Sequence, residues 1–307
     1  MLPTSPMNFP SSQAQNRHAF SKVPQVTAFF WIVKALTTAM GESTSDFLVH
    51  ALVPEIAVVL GGIAFCIALY VQFTKDRYVP WAYWLAVAMV GVFGTMCADV
   101  LHVGLGVPYV VSTVFFALAL AVVFRTWHRS EGTLSIHSIY TQRREVFYWA
   151  AVLATFALGT AAGDFTAYTV GIGYFGSILL FAAVIAIPAI GYFRFGMNSI
   201  LAFWFAYVVT RPLGASVADW LAVSKARGGL ALGTGPVSLV LAAAIAGLVW
   251  HLTRTGRDTP ADQRLPRGEH SIPKPGGGDE SRHESQGVRV LPEGARDARV
   301  PSDGATS

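Results

Sequence analysis

Phe30-Trp31 … Gly41-x-x-x-Ser45-Asp46 is a pattern that the chain states four times. Tyr83-Trp84 leads to Gly94, Ala98 and Asp99, Tyr148-Trp149 to Gly159, Gly163 and Asp164, and Phe203-Trp204 to Gly214, Ala218 and Asp219. The register never changes: an aromatic residue, Trp, nine residues, Gly, three residues, a small residue, Asp. Each copy lies in an apolar run and is followed by a second apolar run. The unit is therefore a pair of helices, and a repeat of this length governs the fold before any single residue does.

The composition says where such pairs belong. Of 307 residues 53% are apolar and 13% charged, and mean hydropathy is +0.48; a soluble domain carries roughly 25% charged residues. Eight runs are long and apolar enough to read as transmembrane helices, at about 27–48, 51–73, 80–102, 108–126, 147–169, 172–193, 199–222 and 235–252. The expected fold is all-α: a polytopic membrane protein of eight transmembrane helices in four pseudo-repeats, at about 23–75, 76–128, 142–195 and 196–253. Each repeat holds an even number of helices, so successive repeats enter the membrane in the same direction and the repeats are parallel.

Lys and Arg orient the bundle. Arg17, Lys22, Lys75, Arg77, Arg125, Arg129, Arg143, Arg144, Arg194, Arg254 and Arg257 fall on one side, against Lys225 and Arg227 on the other. The positive-inside rule places both termini in the cytoplasm of a bacterial inner membrane protein. Residues 1–22 hold three prolines and are expected to be disordered. So is the tail 254–307, whose nine basic and nine acidic residues cancel and which should be dispensable beyond about residue 256. The first apolar run keeps Lys34 and Glu42 and lacks a cleavage site, so helix 1 is read as retained. Cys66 and Cys97 read as buried apolar residues with no disulfide between them.

On a helix, Gly41, Gly94, Gly159 and Gly214 share a face with the small residue four later, the pattern that lets helix backbones approach closely in lipid. Asp46, Asp99, Asp164 and Asp219 lie one residue on, about 100° around the axis. Trp31, Trp84, Trp149 and Trp204 lie about 22 Å back along the helix, near the cytoplasmic boundary, where an interfacial aromatic belt is the plainest reading. The odd helices carry the motif and should line the centre; helices 4, 6 and 8 are almost free of charge and should face lipid. An ionisable group at the centre of a span costs about 2.5–3.5 kcal/mol or more, and four at one equivalent position call for a cause. Glu42 and Glu55 add to the acids; Lys34 and Arg211 stand against them as charge partners. Carboxylates suit a hard cation such as Mn²⁺, Mg²⁺, Ca²⁺, Na⁺ or a proton, and His50 and His102, as second-tier ligands, shift the preference toward Mn²⁺, Fe²⁺ or Zn²⁺. The extra charges single out Asp46, Asp219 and Glu42, in copies 1 and 4, over Asp99 and Asp164.

The run Lys22-Val23-Pro24 … Phe30-Trp31 … Lys34 … Thr37-Thr38 … Gly41-Glu42 … Asp46, with its three weaker copies, resembles a family of bacterial membrane-anchored proteins built from four tandem two-helix repeats. That repeat is noted for a characteristic tryptophan. The resemblance covers about residues 22–253 and implies a multi-pass inner-membrane protein; it brings no reaction with it.

Two functions fit. One is a transporter or channel for a small cation that uses intramembrane carboxylates. The other is a non-transporting scaffold or partner subunit, in which the aspartates are hydrogen-bonding glue. No HExxH, GxSxG, P-loop or dinucleotide fingerprint is present, so no enzyme is expected. A divalent cation is the one cofactor the residues can hold. Lipid and a small cation are the expected partners; the basic residues form no nucleic-acid face, and the sequence sets no oligomeric state.

Overall fold

The structure, a computed structural model, describes residues 20–264. Expectations for 1–19 and 265–307 lie outside the described residues. Eight long helices follow one another: α1 (Ala28–Ala51), α2 (Pro54–Phe73), α3 (Pro80–Asp99), α4 (Tyr109–Glu131), α5 (Gln142–Asp164), α6 (Gly173–Phe195), α7 (Ser199–Ala222) and α8 (Thr234–Thr255), with a single turn, α9 (Ala261–Arg264), after them. Local chemistry sets their ends. Thr27, Thr141 and Asn198 cap α1, α5 and α7 by accepting from backbone N–H groups. Pro54 and Pro80 open α2 and α3 where a missing N–H costs nothing. Gly132 and Gly256 close α4 and α8 at φ 71° and 61°, a left-handed turn that other residues resist.

Seven of these helices, α2 to α8, are long and apolar enough to cross a membrane. Helix α1 is not among them, because Lys34, Glu42, Asp46 and the hydroxyls of Thr37, Thr38, Ser43, Thr44 and Ser45 dilute its apolar run. The polar stretch 127–146 between the fourth and fifth apolar runs is only partly loop: α4 and α5 continue as polar helix to Glu131 and from Gln142, and Glu131 pairs with Arg144 at 2.8 Å and Arg143 at 3.3 Å across the connection.

The odd helices close a ring: α1 packs on α3, α3 on α5, α5 on α7, and α7 on α1. Each even helix packs on the next odd helix around that ring: α2 on α3, α4 on α5, α6 on α7, α8 on α1. Helices α3, α5 and α7 are buried over more than half of their apolar span, and the even helices over less than a quarter. The odd helices therefore line the centre, as expected, and the even helices lie outside them. Cys66 departs from its reading as a buried residue, since α2 turns it outward; both cysteines are free.

The motif glycines make the ring possible, each toward the next odd helix. A Cβ on Gly41 would lie 2.7 Å from the carbonyl carbon of Gly91, and one on Gly94 2.7 Å from Cβ of Phe156. One on Gly159 would overlap the stem of Arg211, and one on Gly214 the side chain of Thr38. The residue met is in every case three positions before the next motif glycine.

Three of the four tryptophans are buried among the odd helices, which corrects the belt reading for them; Trp31 is half-buried. Trp84, Trp149 and Trp204 are at most 4% exposed. Tyr83 stacks on Tyr148, and Phe30 packs against Trp84 and Phe203. Indole is large and apolar, and the ring needs filling where no glycine draws the helices together.

Beyond the aromatic layer residues 21–25 and 258–262 cover the bundle. Lys22 is buried and gives its ammonium to Glu145 at 2.8 Å; Gln72 donates to the same carboxylate at 2.9 Å. The N–H of Ser21 donates to Asp262 at 2.8 Å and that of Gln25 to the carbonyl of Asp258 at 2.9 Å, while the Tyr78 hydroxyl donates to the buried Asp258 carboxylate. Residues 20–22 and 254–264, expected to belong to disordered ends, thus pack against the bundle, because these polar groups find partners in one another. Truncation after Leu265 should leave the melting temperature in detergent unchanged. Truncation after Gly256 should lower it by several degrees, since an orphaned buried hydroxyl alone costs about 1–3 kcal/mol; equal melting of the two would show that these contacts contribute nothing.

Candidate functional site

Successive layers of the ring run from the aromatic residues toward the aspartates. The first holds the Lys34 amine, 4.0 Å from the ring centres of both Phe156 and Tyr207. Lys34 is 1% exposed and its Nζ has no hydrogen-bond partner. The expectation that an acid pairs with Lys34 is not met; aromatic faces alone receive it.

Arg211 does find its acid. Its Nη2 lies 2.6 Å from Oε2 of Glu42 and 2.7 Å from Oγ1 of Thr160, and also contacts Oγ1 of Thr95; Nη1 donates to the carbonyl of Thr38 at 3.4 Å. Glu42, Thr95 and Thr160 are the residues that directly follow three of the motif glycines, with Ala215 in the fourth place. Four helices thus meet on one guanidinium. Glu42 was expected among free cation ligands; it is instead spent on an internal cation.

The aspartates form the next layer and are all half-buried. Asp46 and Asp219 lie within electrostatic reach of Glu42, Asp99 and Asp164. Two are tied together. His102 Nε2 is 3.0 Å from Oδ1 of Asp99 and 3.2 Å from Oδ2 of Asp164, with its side chain 1% exposed. One ligand atom from each of the three lies within 4.8 Å of the others, close enough for a shared metal ion. The local backbone explains the meeting. Directly after Asp99 and Asp164 the helices widen into π-turns, Val100–Gly104 and Phe165–Thr169. The wider turn at Val100–Gly104 includes His102; such turns concentrate at functional sites.

The centre of gravity therefore shifts. Copies 1 and 4, expected to hold the site, contribute the closed Glu42–Arg211 pair, while copies 2 and 3 bring together the only acid–imidazole group of metal-binding size among the described residues. His50 is exposed and turned to the carbonyl of its own Asp46 at 2.6 Å. Thr37, Thr38 and Thr210 bond back to their own helices. Thr95 and Thr160 were missed, although the position after each repeated glycine was there to be aligned. An apolar groove of about 790 Å³ between α1, α6 and α7, lined by Trp31, Phe203 and Tyr192, does not touch the carboxylates.

Three stretches, 82–133, 147–198 and 202–258, match the family model described as a Repeat of Unknown Function (DUF347), and together they cover more than half of the chain. The chain belongs to this repeat family. Every match begins one residue before an aromatic–tryptophan pair, so the family's register is the one read from the sequence. The first helix pair, which alone carries Lys34 and Glu42, lies outside the matched residues. No curated protein and no solved structure is similar to the chain.

Proposed function

We propose that this member of the repeat family is a carrier for a small divalent cation in a bacterial inner membrane. In this reading it crosses the membrane eight times as four parallel helix pairs, with both ends in the cytoplasm. Support for the eighth span is the place of α1, which lies between α3 and α7 and completes the ring. Support for four equivalent pairs is the glycine contact pattern, which runs through copy 1 as through the others.

The observation that carries the reading is the meeting of Asp99 and Asp164, from successive copies, on the one imidazole of His102. Two carboxylates and an imidazole suit Mn²⁺, Fe²⁺ or Zn²⁺ better than an alkali ion. Asp46 and Asp219 add negative potential at the mouth. Passage beyond this layer meets Arg211, then Lys34, then the aromatic residues. The closed Arg211–Glu42 pair and the packed aromatic residues across the path bar passive cation flow, which favours a carrier that must rearrange over an open channel.

Asp99→Asn, Asp164→Asn and His102→Gln should each abolish the change in cellular manganese content that overexpression of the wild type produces, at equal protein level. Asp46→Asn and Asp219→Asn should reduce it less. Wild-type metal handling in the first three variants would refute the carrier. It would leave the scaffold reading, which the same imidazole favours by tying α3 to α5: there the three variants lower the melting temperature and alter no metal.

A further inference from the structure

The environment of Arg211 Nη2 is itself built like a cation site. One nitrogen sits among the Glu42 carboxylate and the hydroxyls of Thr95 and Thr160, drawn from α1, α3 and α5, with the Thr38 carbonyl beside it. The hydroxyls of Thr95 and Thr160 also donate to Glu42, at 3.2 and 3.1 Å, so the oxygens are held in place by one another and not by the arginine alone. All four residues are at most 4% exposed. Arg211 reaches this place from α7 over Gly159, which has no side chain to obstruct the stem.

We infer that these oxygens form an inner site for a hard monovalent cation such as Na⁺, which the guanidinium of Arg211 occupies as a tethered substitute. The donor set is all oxygen, as an alkali ion requires. The charge balance selects a monovalent ion: exchanging one guanidinium for one Na⁺ leaves Glu42 neutralised, whereas a divalent ion would leave an uncompensated charge in a dry interior. Exchange would break the polar contacts of α7 to α1, α3 and α5 together, because the same nitrogen makes all three. The inner site is distinct from the Asp99–His102–Asp164 group and does not depend on it.

The test is the melting temperature of purified protein in detergent, in NaCl against choline chloride at equal ionic strength. Arg211→Met keeps the stem that packs over Gly159 and removes the charged head. Its melting temperature should rise saturably with Na⁺, as ligand binding to the folded state requires, while the wild type, with the site filled, should respond far less. The double variant Arg211→Met/Glu42→Gln should lose the response. Should Arg211→Met fail to accumulate, Arg211→Gln, which keeps a polar head too short to span the site, provides the same comparison. Melting of the Arg211 variants that is identical in Na⁺ and choline would overturn the inner site. Mn²⁺ binding measured on the same samples reports on the aspartate group separately: a Na⁺ response without Mn²⁺ binding supports the inner site and sinks the divalent carrier, and the reverse result does the opposite.

Discussion

Glu42→Ala should destabilise the protein by about 3–5 kcal/mol, the cost of removing one partner from a buried ion pair, and should sharply lower its yield in membranes. Arg211 is fully buried and Glu42 is its only acid partner among the described residues. Without that carboxylate the guanidinium keeps only hydroxyls and a carbonyl, while Lys34, also buried, has no acid at all. The guanidinium would then stand uncompensated in the ring interior. Glu42→Gln should be milder, since the amide oxygen still accepts from Nη2. Melting of Glu42→Ala within a degree of the wild type would mean that Arg211 is balanced elsewhere.

Gly41→Ala is the second large effect expected, out of proportion to a single methyl group. The added carbon would lie 2.7 and 2.8 Å from the backbone of Gly91, where no side chain exists to rotate away. Helices α1 and α3 must separate, and Glu42 moves with α1. Overpacking costs typically about 1–3 kcal/mol and more where the backbone must yield; Gly41→Leu should abolish accumulation of folded protein. The control is Gly247→Ala in α8, where an added carbon meets nothing within 4 Å and helix propensity improves. Thermal melts should place Gly247→Ala at or above the wild type and Gly41→Ala well below it. Parity between the two would show that close approach of α1 and α3 does not hold the ring together.

The helices could be read from the sequence because lipid-soluble spans need long apolar runs, and a repeat in register fixes which residues are equivalent; the repeat pairs the two helices of one copy, whereas each even helix packs on the odd helix of the next copy. The inward face of the odd helices followed from the glycines. Facing of the tryptophans did not, because hydropathy places an aromatic along a helix but not around it. The pairing of Arg211 with Glu42 was half legible: both charges were conspicuous, but only the ring brings α7 against α1. The meeting of Asp99, His102 and Asp164 was hidden by the π-turns, which shift the residues after each aspartate off the α-helical phase on which spacing arguments rest. Polar helix ends, as in Gln142–Arg144 and Arg129–Glu131, looked like loop because composition does not register capping and ion pairs across a short connection.

Binding of Mn²⁺ to purified protein, followed by the loss of the free-ion signal in electron paramagnetic resonance, tests the central claim most directly. The wild type should take up one Mn²⁺ per chain, and Asp99→Asn and Asp164→Asn should each remove that uptake without loss of folded protein. A wild type that leaves the Mn²⁺ signal unchanged, or variants that bind as the wild type does, would contradict a cation site built by successive repeats on His102.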